Sequence, residues 1–228
     1  MLLGLLRLLP IAAAFSALLA GAAPADAQLL GLEYYLPQPK VEFSADFTVT
    51  SDGDTVAGKM MRSHDKERRE VVAEGNREVM IIRGDRGIVW SLSPDDKLYL
   101  ETSLDEALGR IPDADGKAPE PQITVTPLGQ ESIDGVPVTK RRVSGKDADG
   151  SPVEATVWTS EDGVVMRLDS VVVDDDGARH AIRLELHHLR VAPQDPGLFE
   201  IPAGYRRIME GPGSKLGALP TGIALARR

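Results

Sequence analysis

The sequence predicts an all-β protein in which one curved antiparallel sheet of about 10 to 11 strands carries a single short helix. Three observations support this fold class. Residues 41–50 alternate strictly between apolar and polar side chains, acidic–glycine turn signals recur along the chain, and only one helical pattern is present. One short helix cannot cover a whole face of such a sheet, so the sheet is expected to curl into a full or open barrel.

The alternation is clearest in VEFSADFTVT (41–50). Its apolar side consists of Val41, Phe43, Ala45, Phe47 and Val49. Its polar side consists of Glu42, Ser44, Asp46, Thr48 and Thr50. This pattern predicts an antiparallel strand with one buried face and one solvated face.

Ten further strands are predicted along the rest of the chain. They are 55–63, 67–74, 77–83, 87–93, 97–102, 122–132, 136–145, 152–160, 164–173 and 179–191. The turn signals between them are SDGD, RGDRG, SPDD, DADG, EDG and DDDG, and acidic–glycine pairs favour the positive backbone angles of tight hairpins. The five strands from 122–132 to 179–191 are therefore predicted to form a meander.

One helix interrupts the strands, at SLDEALGRI (103–111). Ser103 is its predicted N-cap, and Glu106 three residues later completes a capping box. The apolar stripe of this helix consists of Leu104, Ala107, Leu108 and Ile111. A two-turn helix is not stable alone, so we expect it to lie against the sheet. The Pro- and Asp-rich residues 112–122 are predicted to form a loop.

The last apolar residues lie in DPGLFEIPAGYRRI (195–208). Its prolines rule out an interior strand, because proline has no backbone donor. Phe199 and Ile201 are two residues apart and point the same way in an extended chain. The IPAG stretch (201–204) fits a type I turn. We therefore predict a closing segment that presses two apolar side chains onto the sheet.

Both ends of the chain are predicted to lie outside the folded domain, which spans 28–208. Arg7, a long apolar stretch and the small-x-small sequence at 25–27 predict a signal peptide over 1–27. An uncleaved membrane anchor is the alternative, which Pro10 disfavours. Residues 209–228 are Gly- and Pro-rich and are predicted to be a flexible tail. The expected location is periplasmic or secreted.

Composition excludes several function classes. A net charge of -9 argues against nucleic acids and anionic membrane surfaces as partners, since both attract clusters of Lys and Arg. The chain contains no cysteine, which excludes disulfides, thiol catalysis, thiolate metal sites and a lipid anchor on cysteine.

No catalytic or metal-binding constellation is predicted. His180 and His188 are expected on one face of strand 179–191, but eight residues of extended chain, about 27 Å, prevent them from sharing an ion. The Ser-His-Asp sequence at 63–65 is contiguous, whereas triad partners meet in space. The two DADG stretches lack the downstream Glu of a calcium loop. We therefore expect no enzyme, no metal and no cofactor.

Three stretches show a pattern typical of a known family. They are LGQESIDGVPVTKRRVSG (128–145), VEATVWTSEDGVVMRLDS (153–170) and LFEIPAGY (198–205). In order and spacing they resemble the periplasmic lipoprotein carriers of the LolA/LolB-like superfamily. The resemblance covers most of the chain beyond the predicted signal peptide and implies an unclosed antiparallel half-barrel, with helices as a lid over an apolar cavity. Aromatic residues make up only 4% of the chain, which places it nearer the uncharacterised branch.

The resemblance implies a non-catalytic carrier, chaperone or sensor that binds an acyl chain or an apolar segment. The implied cavity lining consists of Phe43, Phe47, Trp90, Leu92, Leu104, Leu108, Leu184 and Leu186. Trp90 and Trp158 fit either a cavity wall or the core, and the core is the favoured interpretation. The alternative function is an envelope structural or protein-interaction module with a filled barrel and no ligand. The protein is expected to be a monomer, and its expected partners are lipid or lipoprotein acyl chains, or an envelope protein.

The signal-peptide pattern generates a direct prediction. The mature protein is expected to begin at Gln28, because Ala25 and Ala27 fit the small-residue pockets of a signal peptidase. N-terminal sequencing of protein recovered from the envelope fraction checks this, and an intact Met1 in the membrane pellet would contradict it.

Overall fold

The computed structural model describes residues 36, 38–73, 75–108, 120–146, 150, 152–173 and 179–208. The predicted signal peptide, the tail 209–228, most of the loop 112–122 and most of the DADG and DDDG turns lie outside the described residues.

Twelve strands and one short α-helix make up the described part of the chain. The elements are β1 (Phe43–Ser51), β2 (Asp54–Ser63), β3 (Lys66–Ala73), β4 (Asn76–Arg83), β5 (Ile88–Ser93), β6 (Leu98–Ser103), α1 (Leu104–Ala107), β7 (Gln122–Ile133), β8 (Val136–Lys146), β9 (Pro152–Ser160), β10 (Val165–Val173), β11 (Arg179–Val191) and β12 (Arg206–Arg207). Two short 3-10 turns cover Gly84–Arg86 and Pro196–Phe199. All eleven predicted strands are present, each within about two residues of its predicted bounds.

The strands form one open sheet in the order β12-β6-β5-β4-β3-β2-β1-β11-β10-β9-β8-β7. Eleven of them pair antiparallel as two meanders, β1 to β6 and β7 to β11, which join where β1 pairs with β11. The two-residue β12 lies parallel to β6, so the sheet is mixed at that edge alone. The predicted fold class, a curved all-β sheet with one short helix, is confirmed.

The sheet has two distinct faces. We call the face that carries Phe43 and Phe47 the inner face and the opposite face the outer face. Along β1 the burial alternates as predicted, and the register aligns Phe47 with Leu186 of β11. The main inner-face core runs from β1 across β11 to β8. Its members include Phe43, Phe47, Val143, Val157, Leu168, Leu184 and Leu186.

Gly58 leaves room for the Phe47 ring close to the backbone of β2. A Cβ atom at Gly58 would stand 2.7 Å from carbon atoms of this ring and 2.3 Å from the Glu70 carbonyl oxygen. Any side chain here would therefore push the ring away from the sheet or separate β2 from β3.

The predicted helix is present as the four-residue α1. The Glu106 backbone N–H donates to the Ser103 Oγ over 3.1 Å, which confirms Ser103 as the N-cap. A buried cluster joins α1 and the residue after it to the sheet. Its members are Leu104, Ala107 and Leu108 with Met80, Ile82 and Val89. The strand register places Met80 and Ile82 on the inner face, so α1 packs on that face.

The closing segment packs on the outer face instead. Phe199 is fully buried against Val79, Ile81 and Leu92, with Ile201 beside them. The Arg68 Nη1 donates to the Leu198 carbonyl over 3.0 Å, and the Arg83 Nη1 donates to the Phe199 carbonyl over 3.1 Å. The segment is therefore held by apolar packing and by two arginines that bind its backbone.

Two local predictions were wrong. The turn in the closing segment spans 202–205, where the Tyr205 N–H donates to the Pro202 carbonyl and Gly204 has a φ of 87°, the backbone of a type II turn. His188 does not share a face with Leu184, because it sits in a bulge with a φ of 53° and its exposed ring bonds Asp46. Neither the turn register nor the bulge has a signal in the residue alternation.

The alternation in β1 generates a matched pair of variants. Phe47→Asp is expected to lower the free energy of unfolding by about 3 kcal/mol or more, because it empties a packed site and buries an unpaired carboxylate. Thr48→Asp is expected to cost less than about 1 kcal/mol, since it lies on the outer face with Glu185 as its only new cross-strand repulsion. Thermal and urea unfolding measure both, and equal losses would contradict the assigned faces.

Candidate functional site

The inner face brings together six of the eight predicted cavity-lining residues. Four of them belong to the main core: Phe43, Phe47, Leu184 and Leu186. Two belong to the α1 cluster: Leu104 and Leu108. Each of these six side chains is buried. The site therefore consists of two apolar clusters on the same face of one sheet.

Trp90 and Leu92 lie on the outer face, apart from the other six. The register pairs Ile81 with Trp90 and Val79 with Leu92, and Phe199 covers these residues from outside. The Trp90 Nε1–H donates to the Glu101 carboxylate over 2.8 Å, while Arg83 and Arg86 lie 5.7 and 5.6 Å from the ring centroid. The structure thus places Trp90 in the core beneath the closing segment.

Trp158 has the same kind of surroundings in the other half of the sheet. Its Nε1–H donates to Glu131 over 2.7 Å, and Lys140 and Arg167 lie 4.9 and 4.7 Å from the ring centroid. Both cations come from strands that pair directly with β9. The favoured core interpretation therefore describes both tryptophans.

A buried charged cluster separates the two apolar clusters of the inner face. It consists of Arg62 on β2 with Glu67 and Arg69 on β3, and we call it the charged triad. The register aligns Phe43 with Arg62, Arg62 with Glu67 and Glu67 with Ile82, so the triad lies between the main core and the α1 cluster. Its side chains are 15%, 7% and 10% exposed, in the order Arg62, Glu67, Arg69.

Glu67 bridges the two arginines of the triad. The Arg62 Nη1 donates to its Oε2 over 2.8 Å, and the Arg69 Nε donates to its Oε1 over 2.5 Å. Burial works to raise the pKa of Glu67, but the attraction of Arg69 and then Arg62 outweighs it, so this pKa lies below its ordinary value. Glu67 is therefore an anion held between two cations.

Hydrogen-bonding capacity remains unused at Arg62. Its Nη2 donates to the Gln38 side-chain oxygen, but its Nε is buried and has no hydrogen-bond partner among the described residues. A buried donor without an acceptor costs about 1–3 kcal/mol. This donor therefore marks a position on the inner face where an additional acceptor would be favourable.

A second inner-face carboxyl, Glu78, lies beyond the triad. The register aligns Phe47 with Gly58, Gly58 with Val71 and Val71 with Glu78, which places Glu78 at the end of an inner-face row. Its Oε2 is buried and has no hydrogen-bond partner among the described residues, and burial raises its pKa. Protonation would remove the cost of holding a charge there.

Sequence reasoning missed Arg62, Glu67, Arg69 and Glu78. The available signal was strand 67–74, whose charged residues occupy both faces instead of alternating with apolar ones. Such a strand in the middle of a sheet must bury charge on at least one face.

One groove on the outer face does not fit an apolar chain. It has a volume of about 850 Å³ and crosses β8 to β11, with Arg142, Thr156, Asp169 and Arg183 among its lining residues. Arg183 and Arg167 both bond Asp169, and these hydrogen bonds outweigh burial and hold the pKa of Asp169 below its ordinary value. This groove is open and charged, so an apolar ligand would gain little there.

Three of the four histidines pair with separate carboxylates, and His187 contacts the Thr48 hydroxyl. His64 lies 3.4 Å from Glu42, and His188 lies 2.9 Å from Asp46. His180 bonds Asp52. Within the described ranges, no three His, Asp or Glu side chains are placed to hold a metal ion. Among the same residues, no helix is long and apolar enough to cross a bilayer.

No family model matches the chain, and no curated protein matches it. Solved structures do resemble it. An uncharacterised conserved protein from Thermus thermophilus is 11% identical, with 86% of this chain and 98% of that chain covered and a TM-score of 0.48. A LolA superfamily protein from Nitrosomonas europaea is 13% identical over 78% and 98%, with a TM-score of 0.39. The Mycobacterium tuberculosis lipoprotein LppX is 16% identical over 79% and 98%, with a TM-score of 0.40.

These likenesses concern the fold alone. The predicted open, curved antiparallel sheet is present as the twelve-stranded sheet described above. None of the similar structures assigns a ligand, a partner or an activity to this chain.

The charged triad generates a pH prediction. Because the pKa of Glu67 is lower in the folded than in the unfolded chain, its contribution to stability is complete above the unfolded value of 4.5. This contribution is lost as the pH falls through the folded value. Glu67→Gln should lose about 3 kcal/mol or more at pH 7, because both arginines are left without their carboxylate.

The same variant should also show a shallower decline of stability below pH 4.5 than the unsubstituted protein. Urea unfolding from pH 3 to pH 7 measures both effects. Parallel pH profiles for the two proteins would contradict the coupling.

Proposed function

We propose that this protein is a non-catalytic carrier that holds one apolar chain against the inner face, with a polar end group at Arg62. It is exported by cleavage before Gln28, works in the periplasm or outside the cell, and folds over 28–208. The cargo is an amphiphile such as an acyl chain with an anionic or hydrogen-bond-accepting head.

The observation that carries this proposal is the charged triad between two apolar clusters. A buried ion pair contributes little to stability compared with well-packed apolar residues of the same volume. A triad whose Arg62 Nε has no acceptor among the described residues is therefore poorly explained as a device for stability alone. The triad has apolar surface on both sides. This arrangement matches the chemistry of an amphiphile, which needs an apolar surface for its chain and a hydrogen-bond donor for its head.

Helix α1 is the proposed lid. It is short, and its contacts with the sheet come from Leu104, Ala107 and Leu108 on Met80, Ile82 and Val89. A four-residue helix has little stability of its own, so these contacts hold it in place and their loss frees it. A lid with few contacts can open at low cost, which a reversible carrier requires.

The expected affinity is moderate. Burying about sixteen methylene groups at about 0.8 kcal/mol each gives roughly 12 kcal/mol before costs. Ordering the chain and losing its free motion oppose this, and the balance corresponds to roughly micromolar binding. Such binding allows release of the cargo.

A filled barrel is the second candidate, and one observation favours it. Several inner-face side chains, including Val157, Leu168 and Leu184, are 0–1% exposed. A core this well covered leaves room for cargo only if the cover moves. In this second case the protein is an envelope interaction module without a ligand.

Titration with a fluorescent fatty-acid analogue separates the two candidates. The mature protein should saturate at one site, and palmitate should displace the probe. Leu108→Asp should weaken binding about tenfold or more, because a carboxylate in the contact with Met80 undocks the lid, while the circular dichroism of the sheet stays unchanged. Glu106→Gln is the matched control on the exposed side of α1 and should bind normally.

A separate competition experiment tests the recognition of the head group by Arg62. Arg62→Met should weaken competition by palmitate about tenfold and leave competition by hexadecane unchanged, since the alkane offers Arg62 no acceptor. Equal losses for both competitors would remove Arg62 from the proposal. If no probe binds below the concentration at which it aggregates, the carrier function is wrong and the filled barrel replaces it.

A further inference from the structure

Strand β7 is an open edge of the sheet. In the described sheet it pairs with β8 and with no other strand, and ten of its twelve residues are exposed. An edge strand of this length presents a row of backbone N–H and C=O groups without strand partners. Its exposure shows that this row is accessible to another chain.

The first half of β7 lacks the usual protection against strand addition. Residues 122–128 (QITVTPL) carry no charge, and Val125 and Leu128 are 40% and 48% exposed. Pro127 and the bulge that follows it are protective devices, but they act in the middle of the strand. Residues 122–126 keep a regular register with β8, so this segment remains a usable template.

The strand beside this edge is basic, although the whole chain has a net charge of -9. The charged residues of β7 and β8 are Glu131, Lys140, Arg141, Arg142 and Lys146. Lys140 pairs with Glu131 over 3.1 Å. Arg142 is exposed and forms no ion pair with any described residue.

The two sides of the edge differ in character. Val125 aligns with the buried Val143 on the inner face. The row of apolar side chains on that face therefore ends at the exposed Val125. Thr126 aligns with Arg142, and the register continues through Thr156 to Asp169 and Arg183 on the outer face. An added strand would lie about 10 Å from β8, close enough for the Arg142 side chain to reach across Thr126.

We propose that residues 122–126 of β7 bind an extended segment of a partner protein as an additional strand, in which apolar residues alternate with Asp or Glu. Backbone hydrogen bonds hold the segment, its apolar residues continue the inner-face row at Val125, and a carboxylate meets Arg142 on the outer face. This surface does not depend on the proposed carrier function, because it lies at the edge of the sheet.

The probe is a labelled, end-capped peptide of sequence Thr-Val-Glu-Val-Glu-Val-Thr, titrated into the mature protein and followed by fluorescence anisotropy. Saturable binding is expected. N-methylation of alternate amides on one edge of the peptide should weaken binding at least tenfold, because it removes the donors that an added strand needs. Replacing both Glu by Lys should also weaken it at least tenfold.

Protein variants identify the site. Arg142→Glu should reverse the preference, so that the Lys peptide binds more tightly than the Glu peptide. Lys59→Glu makes the same change of net charge at an exposed residue of β2, five strands away in the sheet, and should leave the preference unchanged. Circular dichroism and thermal unfolding check that both variants are folded.

Three outcomes would overturn the proposal. The first is no binding of the Glu peptide at millimolar concentration. The second is an equal change in Arg142→Glu and Lys59→Glu, which would reduce the effect to net charge. The third is self-association in sedimentation experiments that Val125→Lys abolishes, because the edge would then bind a second copy of this chain.

Discussion

The pairing of β1 with β11 is the interaction on which the rest of the structure depends. It aligns Phe47 with Leu186 and joins two meanders that are otherwise built from neighbours in sequence. Without this seam, the inner-face core would be divided between two smaller sheets. Contacts between residues this far apart in sequence slow folding, because the loop between them must close before the contacts contribute. The pairing of β1 with β11 therefore makes the inner face continuous. Any site that spans both meanders depends on it.

The charged triad has a cost that the sheet must offset elsewhere. Taking three charges out of water is unfavourable, and their mutual attraction returns only part of that free energy. The apolar clusters on either side supply the packing that keeps β2 and β3 in register while these charges are buried. The same packing excludes water from Glu67 and strengthens its attraction to Arg62 and Arg69. Under the proposed function, stability and ligand recognition thus compete for the same few residues.

The strands were predictable from the sequence because alternation and turn residues are local signals. The 41–50 pattern identified the buried side of β1 correctly, and the Ser103 cap located α1. The faces of Trp90 and Leu92 could not be read in this way, since β5 is buried on both sides between α1 and the closing segment. Two-residue alternation identifies a buried face only when the other face is wet. The charged triad was missed for a related reason: which charges on β3 are buried depends on its register with β2 and β4, and sequence spacing carries no such information.

The two tryptophans have a consequence for how this molecule can be observed. Trp90 belongs to the first meander and Trp158 to the second, and each indole is buried with its N–H on a carboxylate. Indole emission responds to solvent access and to nearby charge, so each half of the sheet contains its own optical reporter. Single-tryptophan versions of the chain would then reveal whether the halves melt together or one after the other. Coincident or separate changes of the two emission signals would show whether the pairing of β1 with β11 makes the two halves unfold as one unit.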